Sequence, residues 1–94
     1  MKLILSEVFR EELRDEFLYI RKKNPAAAGV VRDRIIAAIQ RLKSYPESGR
    51  AWRLAGSREL VIPGLPYIVV YKVATEAVIV ASLLHSAREV PHVH

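Results

Sequence analysis

Ser57 to Arg88 reads SRELVIPGLPYIVVYKVATEAVIVASLLHSAR, three β-rich runs separated by two turn signals, and holds most of the chain's apolar mass. Leu60, Val61 and Ile62 end at Pro63 and Gly64. Proline presets one φ and glycine tolerates a positive one, so the chain can reverse there into Tyr67 to Val73. A second short reversal over Ala74 to Ala77 leads into Val78 to Leu84, and two consecutive hairpins make an antiparallel meander of three strands. A two-residue turn at Thr75 and Glu76 would pair 73 with 78, 71 with 80, 69 with 82 and 67 with 84. That register puts Tyr67, Val69, Tyr71, Val73, Val78, Val80 and Leu84 on one face. Ile68, Val70, Lys72, Ile79, Ala81, Leu83 and His85 fall on the other.

Upstream of this sheet the pattern is helical. Lys2 to Leu5 is a short strand candidate, and Ser6 with Glu7 has the chemistry of a helix start. Phe9, Leu13, Phe17 and Ile20 then recur at helical spacing among charged residues, and Lys22 and Lys23 close the helix where its dipole favours cations. Asn24 and Pro25 are a cap and a first helical position for a second helix, with an apolar stripe of Ala28, Val31, Ile35, Ala38, Ile39 and Leu42, stopped by Pro46. Glu47 to Arg50 reads as a loop, and Ala51 to Leu54 as a short strand carrying Trp52, before Gly56 turns the chain into the meander. The expected fold is α+β: an N-terminal two-helix hairpin packed on one face of a small antiparallel sheet. The 94 residues are expected to form one domain, with Phe9, Leu13, Phe17, Val31, Ile35, Ile39, Val69, Tyr71 and Val80 in its core.

Composition narrows the function classes. Cysteine is absent, which excludes disulfides and thiolate metal sites and suits a reducing cytoplasm. The apolar runs are far shorter than the ~20 residues of a spanning helix, and no charged-then-apolar leader is evident, so a cytoplasmic protein without membrane partners is expected. Fifteen Lys and Arg against ten Asp and Glu give +5, suited to an acidic partner such as nucleic acid or an acidic protein segment. The glycines are isolated, so there is no phosphate-cradling loop. His92 and His94 form an HxH without a third ligand, and neither a metal nor any other cofactor is expected. Two helices can cover only one side of the sheet. The face carrying Ile68, Val70, Lys72, Ile79, Leu83 and His85 is therefore the candidate partner surface.

The run NPAAAGVVRDRIIAAIQRLKSYPESGR, followed in order by RELVI, PYIVVY and LLHSAR, resembles the toxins of the RelE/ParE superfamily, especially its ParE-like branch, over nearly the whole chain. The resemblance implies a toxin of a type II toxin-antitoxin system, the kind of protein that stabilises plasmids, neutralised by a ParD-like or similar antitoxin that wraps across it. It implies one of two targets. RelE-like members cut mRNA in the ribosome, using basic side chains with histidine, tyrosine or glutamate; ParE-like members poison DNA gyrase without cutting anything. The nuclease branch carries an arginine at or beside the position of Ile68, whereas PYIVVY has no basic residue before Lys72. Gyrase inhibition without catalysis is therefore the expected activity, with mRNA cleavage the alternative and an inactive remnant serving only as antitoxin partner the third.

Were the chain a nuclease, Arg58, His85 and Arg88 would be its catalytic candidates, although the register above puts Arg58 and His85 on opposite faces. Arg50, Trp52, Arg53 and Arg88 form a candidate basic, aromatic surface toward the target.

Overall fold

The computed structural model describes residues 1–51 and 53–86. The chain runs β1 (Lys2–Leu5), α1 (Glu7–Lys23), α2 (Pro25–Arg41), β2 (Arg50–Ala51), β3 (Ser57–Val61), β4 (Tyr67–Val73) and β5 (Ala77–His85). Ser6 caps α1 by accepting the Phe9 N–H at 3.0 Å. Asn24 both ends α1, its N–H donating to the Ile20 carbonyl, and starts α2 by accepting the Ala27 N–H, so one residue makes the corner of the helical hairpin. Helix α2 stops at Arg41, short of Pro46, and a tight turn carries the chain onward.

The sheet order is β1-β5-β4-β3-β2. The meander β3–β4–β5 forms as expected. Pro63 and Gly64 occupy the central positions of a turn in which Leu65 N–H donates to the Ile62 carbonyl, and Gly64 takes the positive φ of 75° that this turn requires. The second reversal is closed by the Ala74 N–H on the Ala77 carbonyl, with Thr75 and Glu76 at its tip. Two expectations are corrected. β1 runs parallel to β5, Leu3 beside Val78 and Leu5 beside Val80, so the sheet is mixed rather than antiparallel. The helical hairpin returns the chain to the far edge of the sheet, where Leu3 and Leu5 add to the helix-covered side. The short strand before the meander is Arg50–Ala51, and residues 53 and 54 lie in the bend that follows.

The register of β4 and β5 is also corrected, and the faces with it. Val73 pairs with Val78 and Tyr71 with Val80, as the turn dictates, but a bulge follows. Val69 then faces Leu83 instead of Ser82, and Tyr67 faces His85 instead of Leu84. One extra residue reverses the parity of everything beyond it. Leu83 therefore points into the core, 2% exposed, and His85 joins Tyr67 on the helix side, while Leu84 moves to the opposite face.

The core comprises Phe9, Ile35, Ile39, Leu42, Ile62, Tyr67, Val69, Tyr71, Val78, Val80 and Leu83, with Leu13 and Val31 packed partly buried against it. Phe17 is outside it: the ring lies half-buried between the guanidinium groups of Arg21 and Arg32, at 5.8 and 5.0 Å from its centroid.

Helix α1 supplies the polar partners that the bulge needs. Ser6 Oγ donates to the Ala81 carbonyl at 2.8 Å, while the Glu12 carboxylate accepts from the Leu83 N–H and from Ser82 Oγ, each at 2.9 Å. Glu12→Ala strands these donors at a half-buried site. It is expected to cost about 1.5 to 3 kcal/mol, the range for hydrogen bonds to a charged group, read as a lower urea midpoint.

Candidate functional site

Arg58 stands near the start of β3 opposite Tyr71, on the same sheet face as Tyr71. Its guanidinium donates to the Gly49 carbonyl at 2.7 Å and to the Glu47 carbonyl at 3.5 Å, and lies 3.9 Å from the Glu47 carboxylate. It clamps the loop between α2 and β2. His85 ends β5 opposite Tyr67, the two rings meeting edge to face at 5.2 Å, and the Tyr67 hydroxyl donates to Glu16 at 3.4 Å.

Because of the bulge, Arg58 and His85 share a sheet face, which corrects the expectation that they lie on opposite ones. They remain at opposite ends of it. Their β4 partners, Tyr71 and Tyr67, are four residues apart, about 13 Å at 3.3 Å per residue. A phosphoryl transfer needs its acid, base and charge-stabilising cation within hydrogen-bond reach of one phosphate, and this pair is not so placed. Arg88, the third candidate, lies outside the described residues, as do Trp52, His92 and His94. Among the described residues no group of three or more His, Cys, Asp or Glu side chains could hold a metal ion, and no helix is long and apolar enough to cross a membrane.

The candidate partner face is smaller than the sequence suggests. Ile68, Val70, Lys72 and Ile79 do lie on the side turned from the helices, but Leu83 and His85 do not. Val70 is only 5% exposed, and Ile68, Ile79 and Leu84 are half-buried. Of the candidate target-facing residues, Arg50 is ion-paired with Glu59, its partner across β2 and β3, and Arg53 lies exposed in the following bend. Lys72 stands opposite Ser57.

A feature that sequence reasoning missed lies between α2 and the β3 edge of the sheet. Arg34, Ala37, Ala38 and Arg41 on α2, the loop from Tyr45 to Ser48, and Leu60 to Pro63 line a groove of about 810 Å³. The available signal was the pair Ala37 and Ala38 framed by arginines two helical turns apart, a low spot between two posts.

The architecture is thus a helical hairpin laid on one face of a small mixed sheet. Comparison with known proteins gives the class a name. Residues 3–90 match the family described as the ParE toxin of type II toxin-antitoxin system, parDE, and the chain belongs to that family. It is 39% identical over 75 residues to a protein of Sinorhizobium fredii (strain NBRC 101917 / NGR234) named "Putative toxin Y4kP", a stretch covering 80% of this chain and 77% of that protein. Its fold matches a chain from a structure titled "Chromosomal ParDE TA system from P. aeruginosa", with TM-score 0.83 at 16% identity, over 90% of this chain and 95% of that one. The protein is thus a toxin of a ParDE-type system.

Proposed function

We propose that this toxin inhibits DNA gyrase by binding it, without catalysis of its own, and that a cognate antitoxin neutralises it. The observation that carries this reading is the disposition of the basic residues. Arg58 is spent on the carbonyls of residues 47 and 49, His85 lies against Tyr67 at the far end of the sheet, and the strand position where nuclease relatives are expected to carry arginine is the apolar Ile68. A phosphorane without a preorganised cation forfeits several kcal/mol of stabilisation, about 3 to 4 for a single lost donor.

The test is induction in cells with two readouts, gyrase-linked DNA breaks and mRNA ends mapped at codons. Breaks without codon-specific ends are expected. Codon-specific ends abolished by His85→Ala or Arg58→Ala would replace this reading with mRNA cleavage, and neither signal from a folded protein would make the chain an inactive antitoxin partner.

A further inference from the structure

We infer that the outer seam of the helical hairpin, where Arg10, Arg14, Arg21 and Arg32 form a row with Phe17, binds the phosphate backbone of duplex DNA without reading its sequence. The contact is made by the toxin itself and goes beyond the gyrase reading.

Three observations converge on this seam. The first is placement. Arg10, Arg14 and Arg21 each follow by one residue a side chain that lies in the core or packs against it, namely Phe9, Leu13 and Ile20. At 3.6 residues per turn they stand about 100° round α1 from that buried stripe, and Phe17 falls on the same line at spacings of four, three and four. From Arg10 to Arg21 is about 16.5 Å of helix at 1.5 Å per residue. Arg32 joins the line from α2, because its guanidinium and that of Arg21 lie 5.0 and 5.8 Å from the centroid of one ring, Phe17. All four arginines are exposed.

The second is charge. Residues 17–34 hold five Lys and Arg against the single acid Asp33, while the rest of the chain holds ten against nine. Nearly all of the net positive charge is therefore gathered at this end of the hairpin. Arg10 and Arg14 stand at the i,i+4 spacing at which like charges destabilise a helix. Neither they nor Arg21 has a carboxylate partner among the described residues, although Glu7, Glu11 and Asp15 lie on the same helix. Arg32 meets only its neighbour Asp33, in an exposed, solvent-screened pair that a phosphate can replace. The row adds little to the stability of the helix that carries it, and its charge is open to an anion from outside.

The third is the chemistry of the groups. All four are arginines, whose planar forks grip phosphate oxygens two at a time. The Phe17 ring holds two of the guanidinium groups in place before a ligand arrives, so less side-chain freedom is lost on binding. Each strand of duplex DNA presents one phosphate per 3.4 Å of axis, so the row spans about five of them. An acidic peptide fits less well, because Phe17 is half-buried against the guanidinium groups and is not offered as an apolar anchor.

The experiment titrates the purified full chain, with no gyrase present, into a fluorescently labelled mixed-sequence duplex and follows anisotropy over a range of salt, with thermal melts confirming that each variant is folded. Four phosphate contacts predict a salt slope of about −3.6, so that affinity falls about a hundredfold between roughly 50 and 200 mM salt. Arg14→Gln combined with Arg21→Gln is expected to reduce the slope by about two and to weaken binding at the lower salt about tenfold or more. Lys2→Gln combined with Lys43→Gln removes the same charge from exposed positions off the seam and is expected to leave the slope unchanged. Unchanged binding in the folded seam variant, or equal losses in the two double variants, would overturn the assignment. So would a wild-type chain that binds no DNA at the lower salt. Poly-glutamate bound more tightly than DNA of equal charge would overturn it too, giving the seam to an acidic protein segment. Gyrase takes no part in this titration, so each of these failures leaves the gyrase reading standing, and failure of that reading shows only in the cellular readouts.

Discussion

Ile35→Ala and Ile39→Ala are each expected to lower the unfolding free energy by about 2 to 5 kcal/mol, measured by urea denaturation. Ile35 is fully buried and Ile39 is 1% exposed, and both belong to the cluster that joins α2 to Phe9 and to the β4–β5 pair. Truncation removes transfer energy and leaves a cavity, because Val69, Tyr71, Val78 and Val80 are held by strand pairing and cannot move in to fill it. A domain of this size has only about 5 to 15 kcal/mol of stability in total, so the upper end of the range would leave a substantial unfolded fraction. Phe17→Ala is the informative contrast. Its ring lies between two guanidinium groups outside the core cluster, so its loss should cost less than that of either isoleucine. Equal losses at all three positions would contradict the two helical stripes as assigned.

The expected helices, their caps, the meander and its turns were legible because each rests on local chemistry. Ser6, Asn24 with Pro25, Pro63 with Gly64, and the reversal at Thr75 and Glu76 act on neighbours within a few residues. What was not legible depends on distant partners. The bulge lies inside the run VIVASLL, where almost every residue suits either face, so periodicity carries no mark of a shifted register. Only Ser82 interrupts the apolar run, and its partner Glu12 is seventy residues away in sequence. A single extra residue then moved Leu83 and His85 across the sheet, removing two of the six residues proposed for the partner face and placing Arg58 and His85 on one side. The parallel pairing of β1 was hidden for the same reason: four residues, KLIL, specify a strand but not its direction relative to a neighbour formed at the other end of the chain. The groove was hidden because two alanines in a helix read as helix formers, and the gap they leave exists only once β3 is packed opposite.

Gly49→Ala adds one methyl group at a buried position and is expected to cost at least the ~1 to 3 kcal/mol of an overpacked core. Gly49 is not a glycine for its dihedral angles, since the positive-φ glycines are Gly56 and Gly64. It is one for space. A Cβ there would sit 2.6 Å from the Glu59 carbonyl oxygen, 2.6 Å from the Tyr71 hydroxyl and 2.7 Å from the Tyr71 ring, and the first of these is backbone held by the sheet. The close approach lets the Tyr71 hydroxyl accept the Gly49 N–H at 2.8 Å and donate to the Pro46 carbonyl at 2.8 Å, while Arg58 takes the Gly49 carbonyl. These contacts tie the loop that lines one end of the groove to the core. Tyr71→Phe should by itself cost about 1 to 3 kcal/mol, because it leaves the buried Gly49 N–H without its acceptor. The two changes should not add. In a Tyr71→Phe background the hydroxyl clash is gone and the hydrogen bond is already lost, so Gly49→Ala should cost less there than in the wild type, with a coupling of about 0.5 to 3 kcal/mol. A residual cost is still expected, since the Glu59 carbonyl remains in the way. Strict additivity in urea midpoints would show that the cost of Gly49→Ala does not come from the Tyr71 hydroxyl, leaving the Glu59 carbonyl as its source.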